Sequence, residues 1–426
     1  MANPDPGFDS APSRRALLRG VAGLGTAVGL AGCGGNPPDP TTTPTAETPF
    51  PSTPTETEES QPAERTVYAG FLDSDEVRAI QRQLAAGNDP WHTGYVAQLR
   101  DARRALDATP ESVVDNGAPD GVDDHRFATD EKRADYHAAI RMGHWIRDLG
   151  VAYAVTGWER FARKAIELLD HWFLASATRM YPSGENFGET YFSIELHITV
   201  PTMLYGAALV RDSPRWAAVE GSREELRTWV ETYLADLEAG RGKDKYTGVV
   251  RNNIYAWWLV ARATAAAYLG DRAALEGAFD DWRANALDQL EPTGLLKHER
   301  QRTDGLDYSI YGLTALTLTA EIARHYGVDL YGYTLDGDER SALLRAFAAH
   351  QPFVVDPTGW PWGVGENGYT DAERQASGAV YELAHSRWRR DGFRSVVEGI
   401  GRPLYERRVL GWTTLTHADR FTLDVD

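Results

Sequence analysis

Three short stretches of this 426-residue chain carry residue types whose spacing could do chemistry. Residues 251–258 read RNNIYAWW. Two asparagines ahead of an apolar run are a helix N-cap and its neighbour. Arg251, Asn252 and Asn253 also set guanidinium and amide donors at a helix N-terminus, where unpaired N–H groups and the helix dipole favour an anion. Trp257 and Trp258 behind them offer a face on which a ring could stack. Residues 298–312 read HERQRTDGLDYSIYG. In a loop, Arg300 and Arg302 could both reach one carboxylate, and Tyr308 and Tyr311 stand one helical turn apart. The third stretch, FSIELHITVP at 192–201, sets Glu195 and His197 inside an apolar run. A lone histidine there is a core residue unless the chemistry needs it as a base.

Other reaction classes lack their residues. The eleven histidines are scattered, with no paired zinc spacing, and the single cysteine excludes a disulfide framework or thiolate cluster. Asp123, Asp124 and His125 lie together, but in a Gly/Asp-rich loop that reads as a solvated turn. No Gly-rich phosphate loop and no G-x-S-x-G elbow occurs. No cofactor and no metal is expected. Sixty-two acidic against 44 basic residues give a net charge of −18, and only five of the basic residues are lysines. That balance excludes a nucleic-acid reader working through a general positive field. It fits a protein of high-salt surroundings, where long-range repulsion is screened within ~3 Å at about 1 M.

The N-terminus reads as an address. SRRALLR at 13–19, an uncharged run from Gly20 to Ala31 and the sequence LAGC resemble a twin-arginine export signal ending in a lipobox. Residues 1–32 would then be removed and Cys33 lipidated. Residues 33–66 are rich in proline, threonine and glutamate, too poor in apolar groups to order themselves, and read as a tether. The body, 67–426, would be held at the outer face of the cytoplasmic membrane.

That body is helical. Trp158, Phe161, Ala165, Leu168 or Leu169, and Trp172 share one helical face, preceded by a second amphipathic run through Ile146, Leu149 and Tyr153. Only Thr156-Gly157 separates the two, and Leu269-Gly270-Asp271 divides another pair. Short breaks between long helices make antiparallel neighbours. Ten to twelve helices are expected between Asp73 and Ile400, in an all-α fold. No fixed repeat marks a solenoid, and 13 tryptophans with 19 tyrosines favour hairpins closed into an α/α toroid around an aromatic-lined cleft.

WFLASATRMYP at 172–182, NNIYAWW, the run E-x-x-R-T-x-x-L-x-Y-S from Glu299 to Ser309, and GVDLYGY at 327–333 occur in the order of the alginate lyase family of polysaccharide lyases. The chain resembles that family over roughly residues 73–350. The resemblance implies an α/α toroid that cleaves acidic polysaccharides by β-elimination without a metal. It implies that Asn253 binds and neutralises a uronate carboxylate, that Arg302 assists, and that Tyr308 is the acid/base. Asn252, Arg300, Trp257, Trp258 and Tyr311 would bind substrate. The family usually reads Asn-Asn-His, whereas this chain has Ile254 in the histidine's position. His197 is the candidate replacement.

β-Elimination removes the C5 proton beside a carboxylate and expels the 4-O-glycosyl group, so donors must face the charge that builds there. An amide donates without ionising, and a guanidinium is always charged. A tyrosine with its ordinary pKa near 10 is a poor base at neutral pH, so neighbouring arginines are expected to lower it. Two other functions fit the same fold. A glycoside hydrolase would recruit carboxylates among Glu195, Glu299 and Glu366. A non-catalytic glycan-binding lipoprotein would have lost its chemistry at Ile254. The partners expected are an acidic polysaccharide and a membrane reached through Cys33, with the protein a monomer.

Overall fold

Helix-stop chemistry recurs along the chain with the same result. Gly270 adopts φ +72° and ends one helix, and Asp271 beside it caps the next by accepting from the Ala274 N–H. Only glycine enters the left-handed region without strain, so a reversal fits into two residues. Capping boxes at Asp73/Glu76, Ser222/Glu225 and Thr370/Glu373 start three further helices.

A computed structural model describes residues 65–114, 134–184, 193–239, 251–335, 337–365 and 368–419, with the backbone alone for 134 and 193–197. Most of the first 66 residues, with Cys33, lie outside it, as do Asp123, Asp124, His125 and Glu366. The described residues fall in one unit, Glu58–Asp426. Their main helices are α1 (Ser74–Ala85), α2 (Trp91–Leu106), α3 (Ala134–Thr156), α4 (Glu159–Phe173), α5 (Ser193–Leu209), α6 (Arg223–Glu238), α7 (Asn253–Leu269), α8 (Arg272–Ala284), α9 (Gly305–His325), α10 (Ala342–Val355), α11 (Asp371–Trp388) and α12 (Asp391–Ile400). Two small antiparallel hairpins, Val67–Tyr68 with Leu72–Asp73 and Tyr405–Glu406 with Gly411–Trp412, complete the described elements apart from short turns. The helices expected on either side of Gly157 and Gly270 are present.

The helices divide into two kinds. α4, α6 and α8 bury one stripe and expose the other, as surface helices do. α7 and α9 are buried nearly all round, which requires neighbours on every side. These inner helices run parallel. A Cβ on Gly206 of α5 would lie 2.5 Å from the Ile146 carbonyl of α3, and one on Gly143 lies 3.4 Å from Thr202. Along α7 and α9, Asn253 neighbours Gly312, and the Tyr326 hydroxyl donates to the Ala267 carbonyl (3.3 Å). The N-termini of α7 and α9 therefore open toward the same end, as do those of α3 and α5. Paired inner and outer helices form an α/α toroid.

The last described segment stitches the ring. Arg402 Nε and the hydroxyls of Thr413 and Thr414 donate to the buried carboxylate of Glu382 on α11 (2.6, 2.8 and 3.0 Å). On the other side, Arg147 of α3 donates to the Tyr405 hydroxyl (2.7 Å), and Trp412 Nε1 donates to Asp101 of α2 (2.9 Å). Glu406 accepts from the backbone N–H groups of Arg408, Val409 and Leu410 (2.8, 2.6 and 2.8 Å), fixing the turn that displays Arg407 and Arg408.

Candidate active site

At the start of α7, the Asn252 side chain accepts from the Ile254 N–H (3.1 Å), so Asn252 is the N-cap. Asn253 turns inward and is buried. Its backbone N–H and its Nδ2 both donate to Glu299 Oε1 (2.9 and 2.6 Å). Glu299 is fully buried, and its other oxygen accepts from Arg302 Nη1 (3.1 Å). The Arg302 guanidinium carbon lies 3.5 Å from the centroid of the Tyr308 ring, inside cation–π range. One chain of contacts thus joins amide, carboxylate, guanidinium and phenol. Ile254 is half-buried at the same helix end and brings no titratable group.

Tyr308 sits on the first turn of α9. Burial holds its phenol above the ordinary value of 10, and the Arg302 cation pulls against that rise without overcoming it. The expected lowering by arginines is therefore corrected: desolvation of the ring outweighs the guanidinium. Asp307 beside it pairs with Arg407 (2.9 Å). Tyr311 packs on Trp257 with centroids 4.9 Å apart and lies under Arg408, whose guanidinium carbon is 5.3 Å from its ring. Arg408 Nη1 donates to the Tyr136 hydroxyl (3.2 Å), its Nε is buried without a hydrogen-bond partner, and no carboxylate among the described residues pairs with it. A small pocket beside it is lined by Gly143, His144, Ile198, Thr199, Arg407 and Arg408. His144 meets the Arg407 carbonyl (2.9 Å), and burial holds its imidazole down at about 3, so it is neutral.

Several expected site residues stand elsewhere. Arg300 and Arg302 do not converge. Arg302 turns to Glu299, while Arg300 pairs with Glu291 (2.8 Å) and lies over Trp362 (4.6 Å). Trp257 and Trp258 are 0% and 2% exposed, so they are core and not a stacking face. Arg251 lies over Tyr255 and donates to Asn285 (3.2 Å) at the end of α8. His197 falls in the second turn of α5, where the side chains lie outside the description. Tyr136, His144, Arg407 and Arg408 escape a reading by local motif, because they come from chain segments more than 90 residues from the tyrosine motif. The Arg-Arg pair at 407–408 was the one available signal.

Two further clusters carry other arrangements. Asp73, Glu76 and His325 converge closely enough to hold a metal ion, but Arg324 already bridges Glu76 (2.5 Å) and the His325 imidazole (3.0 Å). A guanidinium in that position supplies the cation the carboxylates need. A cavity of about 380 Å³ lies between His385, Arg389, Arg394 and Arg402, where Asp419, Asp391 and Glu382 pair with Arg389, Arg394 and Arg402 in turn. Neither cluster touches the tyrosine.

Fold and site define a helical-toroid protein in which an amide, a buried carboxylate and a guanidinium lead in one chain of contacts to a half-buried tyrosine. A sequence model of the alginate lyase family matches residues 87–360, more than half of the chain. The chain belongs to the alginate lyase family, a family of polysaccharide lyases. An alginate lyase from Bacteroides ovatus is similar in structure, with TM-score 0.68 and 19% identity over 83% of this chain and 99% of that one. Alginate lyase A1-III from Sphingomonas species A1 matches with TM-score 0.58 and 18% identity, over 80% of this chain and 94% of that one. A tyrosine-to-phenylalanine variant of A1-III complexed with tetrasaccharide matches with TM-score 0.62 and 19% identity, over 84% and 99%. No curated protein sequence matches the chain.

Proposed function

We propose that the protein cleaves a uronate-containing polysaccharide by β-elimination, with Tyr308 as base and acid. The observation that carries this reading is the continuous contact from Asn253 through Glu299 and Arg302 to the Tyr308 ring. The uronate carboxylate is received by the free N–H of the Asn253 amide and by Arg302, which face the second negative charge as it forms. The Tyr308 phenolate takes the C5 proton, the C4–O bond breaks as the C4–C5 double bond forms, and the same hydroxyl returns the proton to the leaving oxygen. One residue can do both when proton and leaving group lie on one face of the sugar. For the opposite face a second group is needed. His197 is the candidate, one residue before Ile198 and Thr199, which line the pocket under Arg407 and Arg408. Arg408, with no carboxylate partner among the described residues, suits the carboxylate of a neighbouring sugar.

A hydrolase built on Glu299 is disfavoured, because both its oxygens are taken and the group is fully buried. The relatives complexed with tetrasaccharide support a polysaccharide as substrate. Incubation with a panel of polyuronates, followed by ultraviolet absorbance of the new double bond, tests the reading. Rising absorbance is expected. Reducing ends without absorbance would indicate a hydrolase, and neither signal a binder.

The same proposal has the body exported and tethered through Cys33, motivated by SRRALLR and LAGC in the sequence. Cys33→Ala should release mature protein into the medium, and a variant that stays on the membrane would remove the anchor.

A further inference from the structure

Resting on that reading of the cleft, we infer that Glu299 is a positioning residue that sets the direction of both anion-binding groups at once. A buried carboxylate is costly unless every oxygen finds a donor, and its partners show what it is for. Glu299 Oε1 takes two donors from Asn253, backbone N–H at 2.9 Å and Nδ2 at 2.6 Å, and Oε2 takes Arg302 Nη1 at 3.1 Å. Among the described residues, its side-chain partners are thus Asn253 and Arg302, the two groups assigned to the substrate carboxylate.

The consequence for Asn253 is directional. An ionised carboxylate only accepts, so it must face the NH2 end of the amide, and the alternative flip would set oxygen against oxygen. One Nδ2 hydrogen is consumed by Glu299 and the other is left to a ligand. Without Glu299 the amide is free to present its oxygen, which repels a carboxylate. The consequence for Arg302 is positional. Its backbone N–H donates to the Glu299 carbonyl (3.0 Å), and its side chain returns to the Glu299 carboxylate, so the guanidinium is held against the Tyr308 ring. Glu299 reaches no sugar itself, being buried behind these two groups.

The test uses the full chain with Glu299→Gln, Asn253→Ala and both together. Glutamine keeps the size and one accepting oxygen but sets an NH2 against the donors of Arg302 or Asn253. The expected result is a retained thermal transition, kcat lower by about 100-fold, the loss typical of a misplaced binding group, and KM raised about tenfold as the carboxylate contact weakens. The double variant should be no more than about threefold slower than Asn253→Ala alone, because the two act as one unit. Wild-type kcat in Glu299→Gln, or losses that multiply in the double variant, would overturn the inference. If Glu299→Gln does not fold, Glu299→Asp keeps the charge and shortens its reach by one methylene, with the same readouts. Calorimetry with a saturated uronate tetrasaccharide separates this inference from the lyase reading. Should the wild type form no double bonds, the lyase reading fails, yet Glu299→Gln must still weaken tetrasaccharide binding at least about tenfold. Unchanged affinity there would sink the positioning role.

Discussion

The Arg302 guanidinium lies over the Tyr308 ring, 3.5 Å from carbon to centroid, yet the phenol stays protonated beyond its ordinary range. The two statements are compatible. A cation over the ring stabilises a phenolate, but most of the ring's water has been removed and burial wins. On the proposed function, the array would bind an anion at rest and become a base as hydroxide rises.

Tyr308→Phe retains the ring and its contact with Arg302 and deletes only the hydroxyl. The double-bond signal should fall by at least the ~10²–10⁴-fold that a general acid–base group contributes, with the thermal midpoint and tetrasaccharide affinity close to wild type. Normal turnover in this variant would end the mechanism.

The raised pKa of Tyr308 fixes the sign of the pH profile. The base is the deprotonated form, so its population rises as pH rises toward a value above 10. A logarithmic plot of kcat/KM against pH should climb from neutral with a slope near one and not level off below pH 10. A plateau from pH 6 upward would mean that another group removes the proton.

Arg408→Met keeps an unbranched side chain of similar length and deletes the guanidinium that lies over Tyr311. The expected outcome is a loss of about ten- to a hundredfold in kcat/KM, the ~1.5–3 kcal/mol of a charged hydrogen bond, with no fall in thermal midpoint. A stability loss with full activity would make Arg408 a structural residue.

Trp257→Phe separates core from cleft. It should cost about 1–3 kcal/mol of stability, below the ~3–5 kcal/mol of complete ring removal, and leave KM within twofold. A raised KM at unchanged stability would return Trp257 to the substrate.

Folding should also depend on pH. His144 and His417 are held down at about 3 and His350 at about 4 by burial, against 6.5 in the open chain. Below pH 6.5 the unfolded chain binds protons the folded one refuses, so stability present above that value is lost as pH falls toward 3. Asp148, raised to about 6 by burial, opposes the trend together with Asp170, Asp304, Glu373 and Glu382, which burial also raises. His298, His325 and His385, lowered by burial, add to it. The thermal midpoint should drop steadily from pH 6.5 to pH 4, and a flat curve would contradict the burial of these histidines.

The helical scaffold was legible because outer helices such as α4 keep one apolar stripe. The inner helices were harder to orient. α7 is apolar on every side, so nothing in RNNIYAWW distinguishes a tryptophan facing the cleft from one facing the core. The turn at Glu299–Arg302 explains the other misreading. Its backbone bond closes a tight turn within the loop, and that turn sends Arg300 to Glu291 and Arg302 to Glu299 instead of letting both reach one group. Asn253, Arg302 and Tyr308 were readable because each lies in a contiguous motif. Tyr136 and Arg408 were not, since ring geometry and not local spacing brings them to α9.

The hairpin carrying Arg407 and Arg408 makes closure of the ring the step that completes the protein. Contacts such as Arg147 with Tyr405 and Trp412 with Asp101 join positions 258 and 311 residues apart. Pairings at such separation form late, because the entropy of closing a long loop is spent before they return anything. A ribosome-bound chain can build α3 to α9 in order, but Arg407 and Arg408, beside Asp307 and Tyr311, wait for the segment that follows α12. Loss of a few dozen C-terminal residues would thus leave the Asn253–Tyr308 motifs intact in sequence and the ring unlatched.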